Sequence, residues 1–293
     1  MKGLVRRQSG LLVPEGMGDF VPDYKHPTLS PPAQYKMYKQ RLMVTQLSGF
    51  GGGSAGGDVT SYAFDGTGDY LTVPDHADWD VVGSSSQDYT IDLWLKFTDH
   101  VSQEFIIGQW ATTNTFWWIE HNSGGGFNFL VKDAGVTIVD TGTRAGEVTD
   151  TDWHHLALCK VTSGGPTVEW GMYLDGSQVL YMSDADTATF AGSVYLGVRG
   201  SGENNPFDGF MDDIRITDTN SFSASPNTTP NDTITVPTSQ HTSDANTLLL
   251  INCGETITSG TTGSGAVFND SGNTTHVVTE GGNAVRDLAT YKF

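Results

Sequence analysis

From residue 58 onward, apolar and polar side chains alternate with a period of two in many short runs. The clearest run is Tyr89–Phe97, in which Tyr, Ile, Leu, Leu and Phe alternate with Thr, Asp, Trp and Lys. Because successive side chains of a β-strand point to opposite faces of its sheet, this pattern predicts a half-buried strand. Helical periodicity is absent from this region, so the runs must pair into sheets.

Further strand signals recur at short spacing, with turn residues between them. Thr115–Glu120 and Phe127–Lys132 flank a Gly-rich turn and are predicted to form a hairpin. Other predicted strands are Trp153–Val161, Val168–Leu174, Val194–Arg199 and Phe210–Thr217. Strands and turns at this spacing are typical of an all-β sandwich or jelly roll. The composition agrees, because 36 Gly among 293 residues suit a fold with many tight turns.

The first 57 residues differ from the rest of the chain. Prolines divide this stretch into extended pieces, one short helix is predicted after Pro32, and the run Gly49–Gly57 is predicted to be a flexible linker. An arm that docks on a neighbouring protein and a disordered tail both fit this composition. We divide the chain into an extended N-terminal arm with its linker (1–57), a sandwich (58–220), and a linker with C-terminal strands (221–293).

The net charge of −19 is unevenly distributed. Residues 1–57 hold seven basic and three acidic residues, a net charge of +4, so the remaining chain carries −23. An acidic body of this kind repels nucleic acid and anionic membranes. The sequence has no run of about 18 apolar residues and no signal-peptide pattern at its start, so we expect cytoplasmic synthesis without membrane insertion.

The two cysteines, Cys159 and Cys253, both lie in strand-like runs. Two cysteines do not imply a disulfide framework. We therefore interpret them as buried free thiols.

Six segments recur in a characteristic order and spacing between residues 61 and 216. They are Ser61–Gly66, Gly68–Pro74, Tyr89–Leu95, Trp153–Ala157, Tyr173–Gly176 and Gly209–Ile216. In this order they resemble the laminin-G-like, concanavalin A-like jelly roll, which implies two curved antiparallel sheets and, in many members, a calcium ion. In style the sequence is most similar to copies found in structural proteins of tailed phages.

The C-terminal stretch Asn246–Phe293 resembles the opening strands of such a domain, although here it follows the domain. Two arrangements explain this order. The tail completes its own sandwich in permuted order, or it adds strands to the sheet of a neighbouring copy, which would convert an exposed edge into a subunit contact. We favour the first arrangement.

The sequence argues against catalysis. Glucanases of this superfamily need closely spaced carboxylates on one strand face, whereas Glu104 and Glu120 each stand alone. The adjacent His154 and His155 point to opposite faces of a strand and do not form a zinc pair. We expect a non-enzymatic protein.

Asp212 is the strongest candidate for a metal ligand. Counted by parity along Phe210–Ile216, its side chain shares the core-facing register of Phe210, Ile214 and Ile216. A buried carboxylate needs a cation or several hydrogen-bond donors. We expect structural Ca²⁺ held by Asp212 and Asp65, with capping of backbone amides as the alternative.

Aromatic and amide side chains suggest glycan contacts. An outward Trp beside polar groups can stack on a sugar ring, although rings that cover the ends of a sheet are more common. The predicted glycan contacts are Trp94, Trp117, Arg199, Asn204 and Asn205.

These features lead to a hypothesis with one alternative. The hypothesis is a virion structural protein of a tailed phage (capsid decoration, fibre or tail appendage). It would bind other virion proteins through residues 1–57, form homo-oligomers and use the jelly roll to contact neighbours or a surface glycan. The alternative is a bacterial carbohydrate-binding lectin, either free-standing or appended to an enzyme.

Overall fold

The computed structural model describes residues 4–6, 12–14, 61–84, 86–98, 103–122, 124–141, 144–185, 188–202, 205–252, 267–269, 272, 276–287 and 290–293. The chain divides into two compact units, Met1–Ala55 and Gly56–Phe293. In the first unit, strand β1 (Leu4–Arg6) pairs antiparallel with β2 (Leu12–Pro14). The helix predicted after Pro32 and the Gly-rich linker lie outside the described residues.

In its described residues, the second unit consists of short strands with two 3-10 turns. Within the described residues, no helix is both long and apolar enough to cross a membrane. The 3-10 turns are Ala77–Gly83 and Gly200–Gly202. The strands are β3 (Ser61–Asp65), β4 (Tyr70–Val73), β5 (Tyr89–Phe97), β6 (Gln103–Thr112), β7 (Thr115–Asn122), β8 (Gly126–Asp133), β9 (Val136–Asp140), β10 (His154–Thr162), β11 (Val168–Leu174), β12 (Ser177–Asp184), β13 (Ser193–Leu196), β14 (Asp208–Thr217), β15 (Thr247–Ile251), β16 (Val267–Asn269), β17 (Val277–Gly281) and β18 (Val285–Asp287).

These strands form two antiparallel sheets of eight strands each. Sheet I has the order β12-β11-β10-β5-β14-β3-β18, and β15 also pairs with β14. Sheet II has the order β16-β17-β4-β13-β6-β7-β8-β9. The predicted fold class, an all-β two-sheet sandwich, is confirmed.

The main core lies between the two sheets and follows the period-two pattern. In β5 the residues Tyr89, Ile91, Leu93, Leu95 and Phe97 all belong to it. The expectation that β5 is only half-buried is wrong, because the alternate residues on its other face are also buried. Sheet I is therefore covered on both faces along β5.

The second cover comes from the irregular stretch 218–246, which lies over the outer face of sheet I. Ala224 and Ile234 of this stretch pack against Ala157, Cys159 and Tyr173 in a small separate core. Cys159 is a free, fully buried thiol, and burial raises its pKa. Cys253 lies outside the described residues.

The C-terminal strands pair with sheets of the same chain. In sheet I, β15 lies beside β14 and β18 lies beside β3. In sheet II, β17 lies beside β4. The tail thus supplies strands to both layers of the sandwich.

Candidate functional site

Six apolar side chains form a separate cluster on the outer face of sheet II, which we call the outer aromatic cluster. It arises because β7 alternates, so that Phe116 and Trp118 point outward while Trp117 and Ile119 point into the core. The pairing of β6 with β7 places Trp110 directly opposite Phe116. The cluster consists of Phe105, Trp110, Phe116, Trp118, Leu130 and Tyr195.

Three rings of the cluster lie nearly parallel. The ring centroids of Phe116 and Trp118 are 3.9 Å apart with an interplanar angle of 6°. The ring of Trp110 is 5.1 Å from Phe116 and 5.8 Å from Trp118. The guanidinium carbon of Arg199 lies 5.4 Å from the Trp118 ring centroid, within the range of a cation–π contact. The stack is therefore an ordered aromatic surface with a cation at one side.

Only some residues of the cluster are accessible to solvent. Phe116 and Trp118 are nearly buried, whereas Trp110, Leu130 and Tyr195 are half-buried. The buried Nε1 of Trp118 and Nε of Arg199 have no hydrogen-bond partner among the described residues. A buried donor without an acceptor is costly, so these two groups reduce the stability that the ring packing gives to this face.

A polar row lies beside the aromatic rings on the same face. Glu120, two residues along β7 from Trp118, accepts hydrogen bonds from Arg144 Nη2 at 2.5 Å and from Gln103 Nε2 at 2.6 Å. Asn128 lies opposite Glu120 in β8 and accepts a hydrogen bond from the Thr141 hydroxyl. Apolar rings next to amide, carboxylate and guanidinium groups match the mixed character of a sugar, with its apolar ring faces and its hydroxyls.

The carboxylates of this region do not converge on one site. Glu104 pairs with His121, and the next residue, Phe105, pairs with Glu120. Since neighbouring residues of a strand face opposite sides, the Glu104 and Glu120 side chains lie on different faces of sheet II. The acid and nucleophile of a glycoside hydrolase must flank one bond. This pair cannot fill those roles.

The structure places the predicted glycan contacts in different parts of the protein. Arg199 lies against Trp118, and the carbonyl of Asn205 accepts a hydrogen bond from the amide of Phe105 at 2.9 Å, so both are beside the outer aromatic cluster. Asn204 lies outside the described residues.

Two of the predicted contacts need correction. Trp117 has no exposed surface and its Nε1 donates to Gln109 Oε1 at 3.0 Å, so it belongs to the core. Trp94 lies on the outer face of sheet I, beneath the Lys292 ammonium, which is 3.8 Å from its ring centroid. The residues that the sequence interpretation missed are Trp110, Phe116 and Trp118. Phe116 and Trp118 are two residues apart in β7 and therefore face the same side, and this spacing is the feature of the sequence that could have identified them.

The parity assigned to Asp212 also needs correction. Met211, Ile214 and Ile216 belong to the core, whereas Asp212 lies on the outer face of sheet I, opposite Trp94. The cause is a β-bulge between Asp212 and Arg215, where Asp213 has a φ of 50° and resets the alternation. Asp212 is nevertheless fully buried.

Asp65 and Asp212 do not meet. Asp65 pairs with Asp208, four residues before Asp212 in β14, which corresponds to about 13 Å along a strand. The oxygens of Asp65 accept hydrogen bonds from the Thr67 amide and from Asn283 Nδ2. A calcium ion shared by Asp65 and Asp212 does not fit this arrangement. Calcium binding by the chain stays a prediction, and unchanged melting with a calcium chelator would count against it.

A second polar network is buried on the outer face of sheet I. Asp92 Oδ1 accepts from Arg215 Nε at 2.8 Å, and Asp92 Oδ2 contacts Nε2 of His241 at 2.6 Å and Nε2 of His155 at 3.3 Å. The Asp213 carboxylate accepts the backbone N–H of His241 at 3.0 Å. Because His241 lies in the covering stretch 218–246, this network holds the cover on the sheet. We assign it a structural role.

Comparisons with known proteins agree with this architecture. Residues 65–225 match the family model of the concanavalin A-like lectin/glucanases superfamily. A proposed carbohydrate-binding protein from Bacteroides ovatus has a similar structure, with a TM-score of 0.50 and 15% identity, covering 81% of this chain and 62% of that one. The chain thus spans less than two thirds of that structure.

Two further solved structures are similar over a smaller part. Domains LG4-5 of the mouse laminin alpha1 chain give a TM-score of 0.39 at 17% identity, covering 54% of this chain and 40% of that one. Domain 4 of an extracellular arabinanase from Geobacillus stearothermophilus gives 0.39 at 20% identity, covering 54% and 70%. No curated protein sequence matches the chain.

Proposed function

Since the chain belongs to the concanavalin A-like lectin/glucanases superfamily, we propose that it is a non-catalytic carbohydrate-binding protein and that glycans bind at the outer aromatic cluster. The observation that carries this proposal is the stack of nearly parallel rings, partly open to solvent, with the Arg199 guanidinium beside it. Trp110 and Arg199 are half-buried, so the Trp110 ring can pack on the apolar face of a sugar and the N–H groups of the Arg199 guanidinium can donate to sugar hydroxyls.

The rest of the surface supports the same ligand class. Trp110 and Tyr195 provide half-buried aromatic area for the apolar faces of sugar rings, and the half-buried Gln103 and Asn128 provide polar groups for hydroxyls. The net charge of −19 disfavours strongly anionic glycans. Neutral oligosaccharides are therefore the expected ligands.

A glycan array followed by calorimetry tests this proposal. Trp110→Ala and Arg199→Leu should each weaken binding of the best array ligand by about ten-fold or more, because each removes one contact of about 1.4 kcal/mol or larger. Trp94→Phe is the matched control, since Trp94 lies on the other sheet and should leave the affinity unchanged. Silence of the whole array, or equal affinities for all three variants, would contradict the assignment.

The non-catalytic part of the proposal has its own test. Glu104 and Glu120 face opposite sides of sheet II, which supports binding without hydrolysis. We expect no reducing sugar to be released from any array ligand on prolonged incubation. Turnover that disappears in Glu120→Gln would overturn this part and assign a carboxylate role to Glu120.

For the biological setting, we propose a structural protein of a tailed-phage virion, with residues 1–57 as the anchoring arm and the sandwich as the outward module. The acidic sandwich and the separate first unit Met1–Ala55 support this setting. Electron microscopy of native particles with a labelled antibody against residues 58–293 tests it. Decoration of particles supports the virion, whereas sugar binding by a free monomer from a bacterium supports the alternative lectin.

A further inference from the structure

Two histidines and one aspartate from distant parts of the chain come together where strand β4 ends and strand β17 begins in sheet II. Nε2 of His276 lies 3.0 Å from Asp78 Oδ2, and Nδ1 of His76 lies 3.1 Å from Asp78 Oδ1. One ligand atom from each of the three side chains lies within 4.8 Å of the other two. The cluster is distinct from the outer aromatic cluster and from the Asp92 network.

The fold brings these residues together through strand pairing. In the register of β17 with β4, Thr279 pairs with Thr72 and Gly281 with Tyr70, so the chain just before β17 meets the chain just after β4. His276 immediately precedes β17. His76 and Asp78 lie at the start of the 3-10 turn Ala77–Gly83, directly after β4. The Trp79 ring supports the cluster from one side, 4.8 Å from the His276 ring.

The donor set and the spacing fit one class of ion. Two ligands that each lie about 2.0–2.1 Å from a tetrahedral metal are separated by about 3.3 Å. The two histidine–aspartate contacts, at 3.0 and 3.1 Å, are near this value although they use different oxygens of Asp78, and the full set of three ligand atoms lies within 4.8 Å, so small side-chain movements would close it around an ion. Two imidazole nitrogens and one carboxylate oxygen suit Zn²⁺, whereas Ca²⁺ takes oxygen ligands. The Asp78 amide donates to His76 Nδ1 at 3.2 Å, and a metal bound to this nitrogen would replace that contact.

We propose that His76, Asp78 and His276 form a zinc site that fastens the C-terminal strand β17 to the segment after β4. The side chain of His276 is 6% exposed and that of His76 is 44% exposed. The buried His276 would bind the ion from the protein interior, and the ion would enter from solvent on the side of His76. The exposed side leaves a fourth position for water or a ligand from another molecule. The site joins residues almost 200 positions apart, so it exists only in the folded chain. Because zinc would bind the folded state and not the unfolded one, it should stabilise the fold.

Titration calorimetry of the full chain with ZnCl₂ tests the proposal. We expect one saturable site per chain and a melting temperature that rises with the zinc concentration. CaCl₂ at the same concentration should produce neither effect. The absence of saturable zinc binding would overturn the proposal, as would equal binding of calcium.

Single substitutions test which histidine side chains bind the zinc ion. His76→Gln removes an exposed ligand that the core does not need, and it should weaken zinc binding by at least about ten-fold while the melting temperature without zinc stays unchanged. The matched control is His154→Gln, which removes another histidine between two carboxylates, Asp150 and Asp175. If His154→Gln lost the zinc response and His76→Gln kept it, the assignment would be wrong.

The buried ligand gives an independent readout. His276→Gln should abolish the zinc-dependent rise in melting temperature, with circular dichroism used to verify that the variant folds. Binding of Cu²⁺ should also quench the fluorescence of Trp79 because its ring lies close to His276. Trp79→Phe should remove this part of the quenching. Quenching that persists in both His76→Gln and Trp79→Phe would place the metal elsewhere.

Discussion

His241 Nε2 donates to the Asp92 carboxylate at 2.6 Å, although the two residues are 149 positions apart in the chain. Asp92 lies in the middle of sheet I, and His241 lies in the irregular stretch that covers that sheet. Burial by itself raises the pKa of Asp92, but hydrogen bonds from His155 and His241 and the charges of His241 and Arg215 outweigh it. They hold the pKa of this carboxyl well below its usual range.

Asp92→Asn should therefore destabilise the fold by about 3 kcal/mol at pH 7, because the Arg215 guanidinium loses its buried counter-charge. A carboxyl with a lowered pKa contributes stability that is fully present above its ordinary pKa of 3.8 and is lost progressively as the pH falls from there through the lower pKa of the folded state. Urea unfolding followed by Trp fluorescence should show a large difference from the wild type at pH 7 and a smaller one at pH 3, where only part of the contribution has been lost.

Asp152→Asn is the control, since Asp152 is an exposed acidic residue outside the network. It should unfold like the wild type at both pH values. A free energy of unfolding for Asp92→Asn equal to that of the wild type at pH 7 would show that the network does not hold the cover on the sheet.

Asp212 should behave in the opposite way. Burial raises its pKa to about 7, although the Lys292 amide donates to Oδ2 at 3.0 Å. Between pH 3.8 and about 7 the folded chain keeps the proton that the unfolded chain releases, so stability falls as the pH rises through this window. Asp212→Asn carries no such cost and should be more stable than the wild type at pH 8, by on the order of 2–4 kcal/mol.

The measurement is the free energy of unfolding from pH 4 to pH 8, with Asp133→Asn as a control for the loss of one negative charge. The advantage of Asp212→Asn should grow steadily over this range and be small at pH 4. A constant difference across the range, or a loss of stability at pH 8, would contradict a protonated buried Asp212.

The sequence predicts the two sheets of this fold well, because a strand with one buried face alternates apolar and polar residues. Strand β5 was predicted at Tyr89–Phe97 and has those limits. The pattern could not show that the other face of β5 is buried too. That face is covered by a stretch without regular structure more than 120 residues later, and such a stretch has no periodicity from which its position can be predicted.

The candidate site shows a different limit. Alternation predicts that Trp117 and Trp118 face opposite sides, but it does not say which side is the interior. That depends on which neighbouring strands place their apolar residues against each ring, and this is a property of the assembled sheets. Asp212 was misplaced for a third reason, since one extra residue at the bulge after it reverses every later face of β14.

Trp117 and Trp110 should therefore differ strongly in their contribution to stability. Trp117 is fully buried between the sheets, so Trp117→Ala should cost about 3–5 kcal/mol. Trp110 is half-buried in the outer aromatic cluster, so Trp110→Ala should cost about 1 kcal/mol. Urea titrations of both variants measure the difference. Equal losses would mean that the outer aromatic cluster is a structural core and not a binding surface.

The C-terminal strands provide the last prediction. Removal of residues 246–293 takes β15 and β18 away from sheet I and β17 away from sheet II. This exposes the backbone edges of β3, β4 and β14 and uncovers core residues such as Leu71 and Ile216. We expect the truncated chain to lose its cooperative unfolding transition and to aggregate, as seen by calorimetry and size-exclusion chromatography.

Adding the separate peptide 246–293 during refolding should restore part of the folded protein, whereas a peptide of scrambled sequence should not. A truncated chain that stays a folded monomer and fails only in assembly would instead assign these strands to a neighbouring copy.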